Sequence, residues 1–171
     1  HSIEHATLMD EEAARLMRQR HVFMVPTLSA LATTAASHTG CGIPESVLEK
    51  AKSMTKRHQM SFKKARQSGI FIATGTDAGT PFNHHGDNAQ ELERMVAYGM
   101  TPMEAIVAST SAAARLLGIE DQVGMIKAGM QADLVLFEGN PLRRIDLLRE
   151  RNRILGVMKR GTFVSGPLSK Q

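Results

Sequence analysis

Short apolar runs alternate along the first half of the chain with longer stretches whose apolar residues recur at helical spacing. Three segments have the length and character of strands: residues 1–5, 21–26 and 70–74. The second and third are continuously apolar, which is typical of parallel strands covered on both faces. Between the first and second strands, Asp10 can cap a helix that runs through Arg20. Between the second and third, Pro44 can begin a longer helix that runs to about Gln67. We therefore expect parallel strands joined by right-handed helical crossovers.

Both helices have one apolar face, and the segment before the second differs in composition. The first would bury Ala13, Leu16 and Met17. The stripe of the second consists of Val47, Ala51, Met54, His58, Phe62 and Ala65, and Gly69 ends the helix. On this stripe, His58 is interpreted as a packed core residue. Residues 27–42, rich in Thr, Ser, Ala and Gly, are predicted as a long loop or broken helix. Function is often carried by such segments after a strand.

The second half begins with helical patterns and ends with strand patterns. Residues 88–98 form a helical segment, and Thr101-Pro102-Met103-Glu104 combines a capping box with proline at the first helical position. Helical character ends near Gly118. Strands are predicted at residues 132–137 and, as a pair about a turn, within 154–164. The expected organisation is an α/β part at 1–122 and a small β segment at 123–171.

Composition and charge narrow the classes of protein. The chain has 171 residues, 42% of them hydrophobic, enough for one packed domain, and the single Cys41 excludes an internal disulfide. Its apolar runs are shorter than the roughly 18 residues of a membrane span. The net charge is +4, but six Phe, one Tyr and no Trp offer little stacking surface, so nucleic-acid binding is disfavoured. With no signal-peptide pattern after His1, a soluble protein in the cytoplasm is expected, and the start resembles the interior of a longer chain.

Polar residues at the ends of the predicted strands are the candidates for chemistry. His5 ends the first strand and Asp77 follows the third, so the carboxyl ends of parallel strands would bring both to one edge. Imidazole nitrogen and carboxylate oxygen are good ligands for a divalent ion such as zinc. The alternatives are a structural histidine and an aspartate that holds the Gly75–Pro81 turn by binding backbone N–H groups.

A set of motifs resembles a known family. Its members here are Ser2-Ile3-Glu4-His5, Val25-Pro26-Thr27-Leu28, Gly75-Thr76-Asp77-Ala78-Gly79-Thr80-Pro81, His85-Gly86, Glu91-Leu92, residues 99–105, 112–118, 123–126 and 129–135. In this order they resemble the metal-dependent amidohydrolase superfamily, in the branch of imidazolonepropionase-like enzymes and Xaa-Pro dipeptidases. The resemblance covers almost the whole chain.

The resemblance implies a fold and a metal centre. The family has a (β/α)8 barrel with one or two divalent metals at its C-terminal rim, and a small β-sandwich. His5 would match the metal-binding histidine of the sixth strand, and Asp77 the aspartate of the eighth, which is also catalytic. The family's His-x-His pair, its ligand lysine and its fifth-strand histidine belong to the first five strands, which would be absent here, and no His-x-His occurs in the sequence. The chain would therefore supply about the last three strand–helix units of the barrel and the C-terminal sandwich segment.

The same resemblance implies a reaction. A metal-activated water would attack an amide carbonyl, Asp77 would transfer the proton to the leaving nitrogen, and His85-Gly86 would bind substrate. The favoured substrate is a small Xaa-Pro-type dipeptide, and alternatives within enzymes are cyclic amide hydrolysis and amidine deamination. With only part of the ligand set, the chain alone is expected to be inactive and to need another chain or an N-terminal half; homo-oligomerisation stays open. A non-catalytic remnant or association module is the alternative from a different class.

Overall fold

Neighbouring parallel strands form the start of the fold. The computed structural model of the protein describes residues 1–38 and 40–170. Strand β1 (Ser2–Glu4) pairs in parallel with β2 (Phe23–Val25). The third predicted strand, at residues 70–74, is present as an extended segment that joins β2 through one parallel bridge, Met24 to Ile72. The parallel order is thus confirmed, although the third segment forms no full ladder.

Helices connect and follow these strands. Their bounds are α1 Glu11–Gln19, α2 Leu28–Ala36, α3 Glu45–Gln67, α4 Ala89–Ala97, α5 Pro102–Ser109 and α6 Ser111–Leu117. The predicted caps are confirmed: an Asp10 oxygen accepts from the Ala13 N–H at 2.7 Å, and Thr101 and Glu104 complete the capping box. None of the described helices combines the length and the apolar character that a membrane crossing needs.

The core lies between the parallel strands and their helices. Met24, Phe62 and Met95 are fully buried there. The predicted burial of Leu16 and Val47 is wrong, since these side chains are 41% and 45% exposed. On α1, Ala14 is buried together with the predicted Met17. On α3, Leu48 is buried together with most of the predicted stripe, namely Ala51, His58, Phe62 and Ala65, so the buried face of each helix differs from the predicted one only at its edge.

The region predicted as a loop or broken helix contains a regular helix. Helix α2 occupies nine residues of it, and the described residues that follow, 37–38 and 40–44, are irregular. Its first residues carry no side-chain cap from the preceding Thr27. A carboxylate far along the chain binds its N-terminal N–H groups instead, and a contact of that separation leaves no local sequence signal.

The C-terminal strands form their own sheet. The predicted strands are present as β3 (Leu134–Phe137), β4 (Ile154–Lys159) and β5 (Thr162–Ser165), and they pair antiparallel in that order. A 3₁₀ segment, Ile145–Arg149, lies between the first two of them and packs against α4. Through Ile145 this segment joins the core of the α/β part.

Candidate active site

Two neighbouring strands end at the same edge of the parallel sheet. The His5 N–H donates to the Val25 carbonyl at 2.9 Å, which aligns the residue after β1 with the end of β2. The Ala73 N–H donates to the Met24 carbonyl at 3.0 Å, so the segment leading to Asp77 ends at this edge too. The structure therefore brings the segments carrying both candidate ligands to one edge. Shared coordination of a metal by His5 and Asp77 stays a prediction.

His5 is oriented by a side chain of the next strand. Its ring is exposed, its backbone is left-handed with φ +63°, and Nδ1 lies 2.6 Å from the Thr27 hydroxyl oxygen. That hydroxyl also donates to the Pro26 carbonyl at 2.7 Å. Non-glycine residues with positive φ are uncommon and occur where surrounding contacts enforce them, often at functional sites. The histidine is thus held in a defined orientation at the sheet edge.

The Asp77 carboxylate is exposed and has no donor or cation bound to it among the described residues. Only its backbone carbonyl takes part in the turn, accepting from the Thr80 hydroxyl at 3.0 Å and from the Asn83 side-chain amide at 3.1 Å. The alternative that the Asp77 side chain holds the turn therefore finds no support. Its carboxylate is left available for chemistry, with a left-handed backbone at φ +52°.

Asn83 organises this loop and was not found from the sequence. It is 1% exposed, and its amide donates to the Thr76 carbonyl at 2.6 Å. Its side-chain oxygen accepts from Gln90 at 3.1 Å, while its backbone carbonyl accepts from the Gly79 N–H at 2.8 Å. An asparagine before two histidines gives no distinctive signal, since its role depends on contacts with both the turn and α4.

Glu91 caps α2 from a distance. Its two carboxylate oxygens accept from the backbone N–H groups of Leu28 and Ser29, each at 2.7 Å, and the residue is fully buried. Burial raises the pKa of Glu91, while the N–H groups of α2 act in the opposite direction. Glu91-Leu92 is one of the motifs that carry the resemblance, but no role for Glu91 could be predicted from the sequence.

A cavity of about 670 Å³ lies beside His5. Its walls are mainly apolar side chains of α2 and α3, namely Ala30, Leu31, Val47, Ala51 and Met54. Thr80 and Pro81 also line it, so the loop after Asp77 reaches the same cavity as His5. The prediction that His58 is a core residue is confirmed by its 3% exposure, and burial lowers the pKa of its ring.

His85 and Gly86, the predicted substrate-binding pair, lie in the loop that follows. Both are exposed, and His85 Nε2 lies 3.7 Å from where a Cβ on Gly79 would stand, so its ring flanks the Asp77 turn. Arg149 fixes the end of this loop through an ion pair with Asp87 at 3.0 Å. Substrate binding by His85 and Gly86 stays a prediction.

The donor types at the edge suit a divalent metal, but they do not complete a site. Imidazole and carboxylate are ligands for zinc and similar ions. Within residues 1–38 and 40–170 no cluster of three or more His, Cys, Asp or Glu residues could hold such an ion. His5 and Asp77 therefore fit as part of a ligand set whose other members would come from elsewhere.

Comparison with known proteins shows which family the chain resembles. The model of the Amidohydrolase family matches residues 1–164. A solved Xaa-Pro dipeptidase with bound methionine in the active site is 41% identical with a TM-score of 0.87, over 96% of this chain and 40% of that one. Ochratoxinase from Aspergillus niger is 33% identical over 97% of this chain and 34% of its own length. Imidazolonepropionase from Shouchella clausii is 42% identical over 38% of this chain and 14% of its own length.

These comparisons confirm the predicted resemblance and the α/β fold at the level of the family. The chain spans about a third to two fifths of the length of the relatives it matches over nearly all of its own residues. This agrees with a partial domain of the amidohydrolase fold. Since the family model matches nearly the whole chain, residues 1–164, the chain belongs to the amidohydrolase family.

Proposed function

We propose that this chain is the C-terminal part of a metal-dependent hydrolase of amide or peptide C–N bonds, acting on small Xaa-Pro-type dipeptides. The observation that carries the proposal is the position of His5 and the Asp77 loop at one edge of parallel strands, beside one cavity. Its likeness to an Xaa-Pro dipeptidase supports the substrate class. The proposed fold is the last three strand–helix units of a barrel with a C-terminal sandwich segment.

Each residue has a proposed role. A bound divalent ion, with zinc the favoured one and one or two ions in the complete site, would polarise the amide carbonyl and acidify a water molecule. His5 offers a ring nitrogen to such an ion. Asp77, whose carboxylate is exposed and unpaired among the described residues, would accept the proton of the attacking water and return it to the leaving nitrogen. His85 and Gly86 would contact the substrate beside the Asp77 turn.

The proposal requires further strand–helix units. Two ligands alone would hold a divalent ion weakly, so the chain by itself would be inactive. The outer edge of β1 is free to pair within the described residues, since β1 pairs only with β2 there. An N-terminal half, on the same chain or another one, would supply the remaining ligands and cover this edge.

A direct experiment begins with the DNA upstream of the His1 codon. We expect an open frame encoding His-x-His and then a strand with lysine; an initiation codon at this point would favour the non-catalytic remnant. The protein expressed from the longer frame is then analysed for bound metal and assayed on Xaa-Pro dipeptides, cyclic amides and cyclic amidines. Turnover of a cyclic amidine alone would replace the dipeptidase assignment with a deaminase.

The catalytic assignment is tested in the same protein by substituting one carboxylate. Asp77→Asn is expected to lower kcat by about 10²–10⁴-fold, the range of general acid–base catalysis. Asp121→Asn, an exposed aspartate in a turn after α6, is the matched control and should leave kcat unchanged. Full activity in Asp77→Asn would refute the role of Asp77.

A further inference from the structure

The Thr27 hydroxyl makes two short polar contacts that together determine which ring nitrogen of His5 carries the proton. Its oxygen lies 2.6 Å from His5 Nδ1 and 2.7 Å from the Pro26 carbonyl oxygen. A hydroxyl has one proton to donate, and a carbonyl oxygen can only accept. If that proton points to Pro26, the contact with His5 requires a proton on Nδ1. The opposite allocation would place two oxygen lone pairs against each other at 2.7 Å.

The backbone that carries the Thr27 side chain is itself held in place. Thr27 is 4% exposed and has φ +50° and ψ +44°, a left-handed conformation that is unfavourable for a β-branched residue. Such strain persists only where neighbouring contacts enforce it. Those contacts come from Glu91, which binds the N–H groups of the next two residues. The start of α2 therefore fixes the backbone position from which the hydroxyl reaches His5.

We propose that Thr27 is a positioning residue that holds neutral His5 as the Nδ1–H tautomer and leaves the lone pair on Nε2 for a divalent cation. The inference rests on the proposed role of His5 as a ligand. Histidine ligands commonly donate their second ring N–H to an oxygen that fixes the tautomer and the ring orientation. Here that oxygen is a hydroxyl whose own proton is already committed to the backbone.

The tautomer is measured directly in the protein from the longer frame, labelled with ¹⁵N-histidine and stripped of metal with a chelator. At a pH where the ring is neutral, the His5 signals should show a protonated Nδ1 and an unprotonated Nε2. Thr27→Ser keeps the hydroxyl and should show the same pattern, whereas Thr27→Val keeps the shape and should shift the population towards Nε2–H. A protonated Nε2 in the wild-type protein would overturn the inference without any variant.

Metal affinity is the second readout. Zinc titrated into the stripped proteins should bind Thr27→Val about 10–100-fold more weakly than wild type, the range found when such supporting contacts are removed. Thr27→Ser should bind within about threefold of wild type. Equal affinities in Thr27→Val and wild type would refute the positioning role alone. A wild-type protein that has the expected tautomer but binds no zinc would refute the proposed function, because His5 would then not be a ligand.

Discussion

Glu91→Gln tests whether the buried carboxylate maintains α2 and the edge that carries Thr27 and His5. Both carboxylate oxygens now accept from backbone N–H groups at 2.7 Å. Glutamine retains one acceptor oxygen, but its amide NH₂ faces the second N–H group, and two donors cannot bond to each other. One charge-assisted hydrogen bond would be lost, and one buried N–H group would be left without an acceptor.

The magnitude follows from burial. Hydrogen bonds to charged groups contribute about 1.5–3 kcal/mol, and an unsatisfied buried donor costs about 1–3 kcal/mol. These figures describe overlapping effects and are not added. Removing the buried charge returns some free energy, because desolvation already raises the pKa of Glu91. We therefore expect Glu91→Gln to lower the free energy of unfolding by about 1–3 kcal/mol, and Glu91→Ala, which orphans both N–H groups, by more.

The assay is equilibrium unfolding in urea followed by circular dichroism, with Glu104→Gln as the matched control. Glu104 also caps a helix start, but it is exposed, and a capping box accepts glutamine at this position. The control should change the free energy of unfolding by less than about 0.5 kcal/mol. If Glu91→Gln is as mild as Glu104→Gln, the reasoning that Glu91 holds the start of α2 is refuted.

Three further predictions concern other contacts. Burial lowers the pKa of His58 from its ordinary value of 6.5, so the stability that neutral His58 contributes is present above pH 6.5 and is lost as the pH falls through the folded-state pKa. In urea titrations at a series of pH values, His58→Phe should flatten this decline, and an unchanged slope would contradict the prediction. Gly75→Ala places a Cβ 2.5 Å from Val25 Cγ1 and should cost about 1–3 kcal/mol in urea unfolding, partly recovered by adding Val25→Ala; simple additivity would refute the clash. Arg149→Gln breaks two surface ion pairs, with Asp87 and with Glu93, and should cost at most about 2 kcal/mol in thermal unfolding. This loss should shrink in high salt, and an absence of salt dependence would rule out an electrostatic origin.

Locally encoded features could be predicted from the sequence. Asp10 precedes an acidic first turn, and Thr101 is followed by proline and then glutamate, so both helix starts are determined within a few residues. The continuous apolar run around β2 predicted a strand covered on both faces, and all three residues of β2 are buried. These patterns depend on residues that are close to one another in the chain, so they can be recognised from the sequence alone.

The features that sequence reasoning missed depend on contacts across long separations. Helix α2 lacks a local cap, and Glu91, 62 and 63 residues further on, binds its first N–H groups. The Asp77 turn is held by the buried Asn83, which in turn is bound by Gln90. Nothing in the composition of a loop indicates which polar side chain will be buried. The third strand was also overestimated, since an apolar run does not determine how much of its backbone finds a pairing partner.

The two missed contacts begin at adjacent residues of one helix. In the first turn of α4, Gln90 binds Asn83, which holds the turn of Asp77, while Glu91 binds the start of α2, which holds Thr27 against His5. Because Gln90 and Glu91 are both nearly or fully buried, α4 cannot shift without disturbing contacts to both loops. The two candidate metal ligands, His5 and Asp77, are thus positioned through a common helix, although they lie 72 positions apart in the chain. Exposed side chains at a sheet edge can be held this way, because the residues that fix them lie in the core.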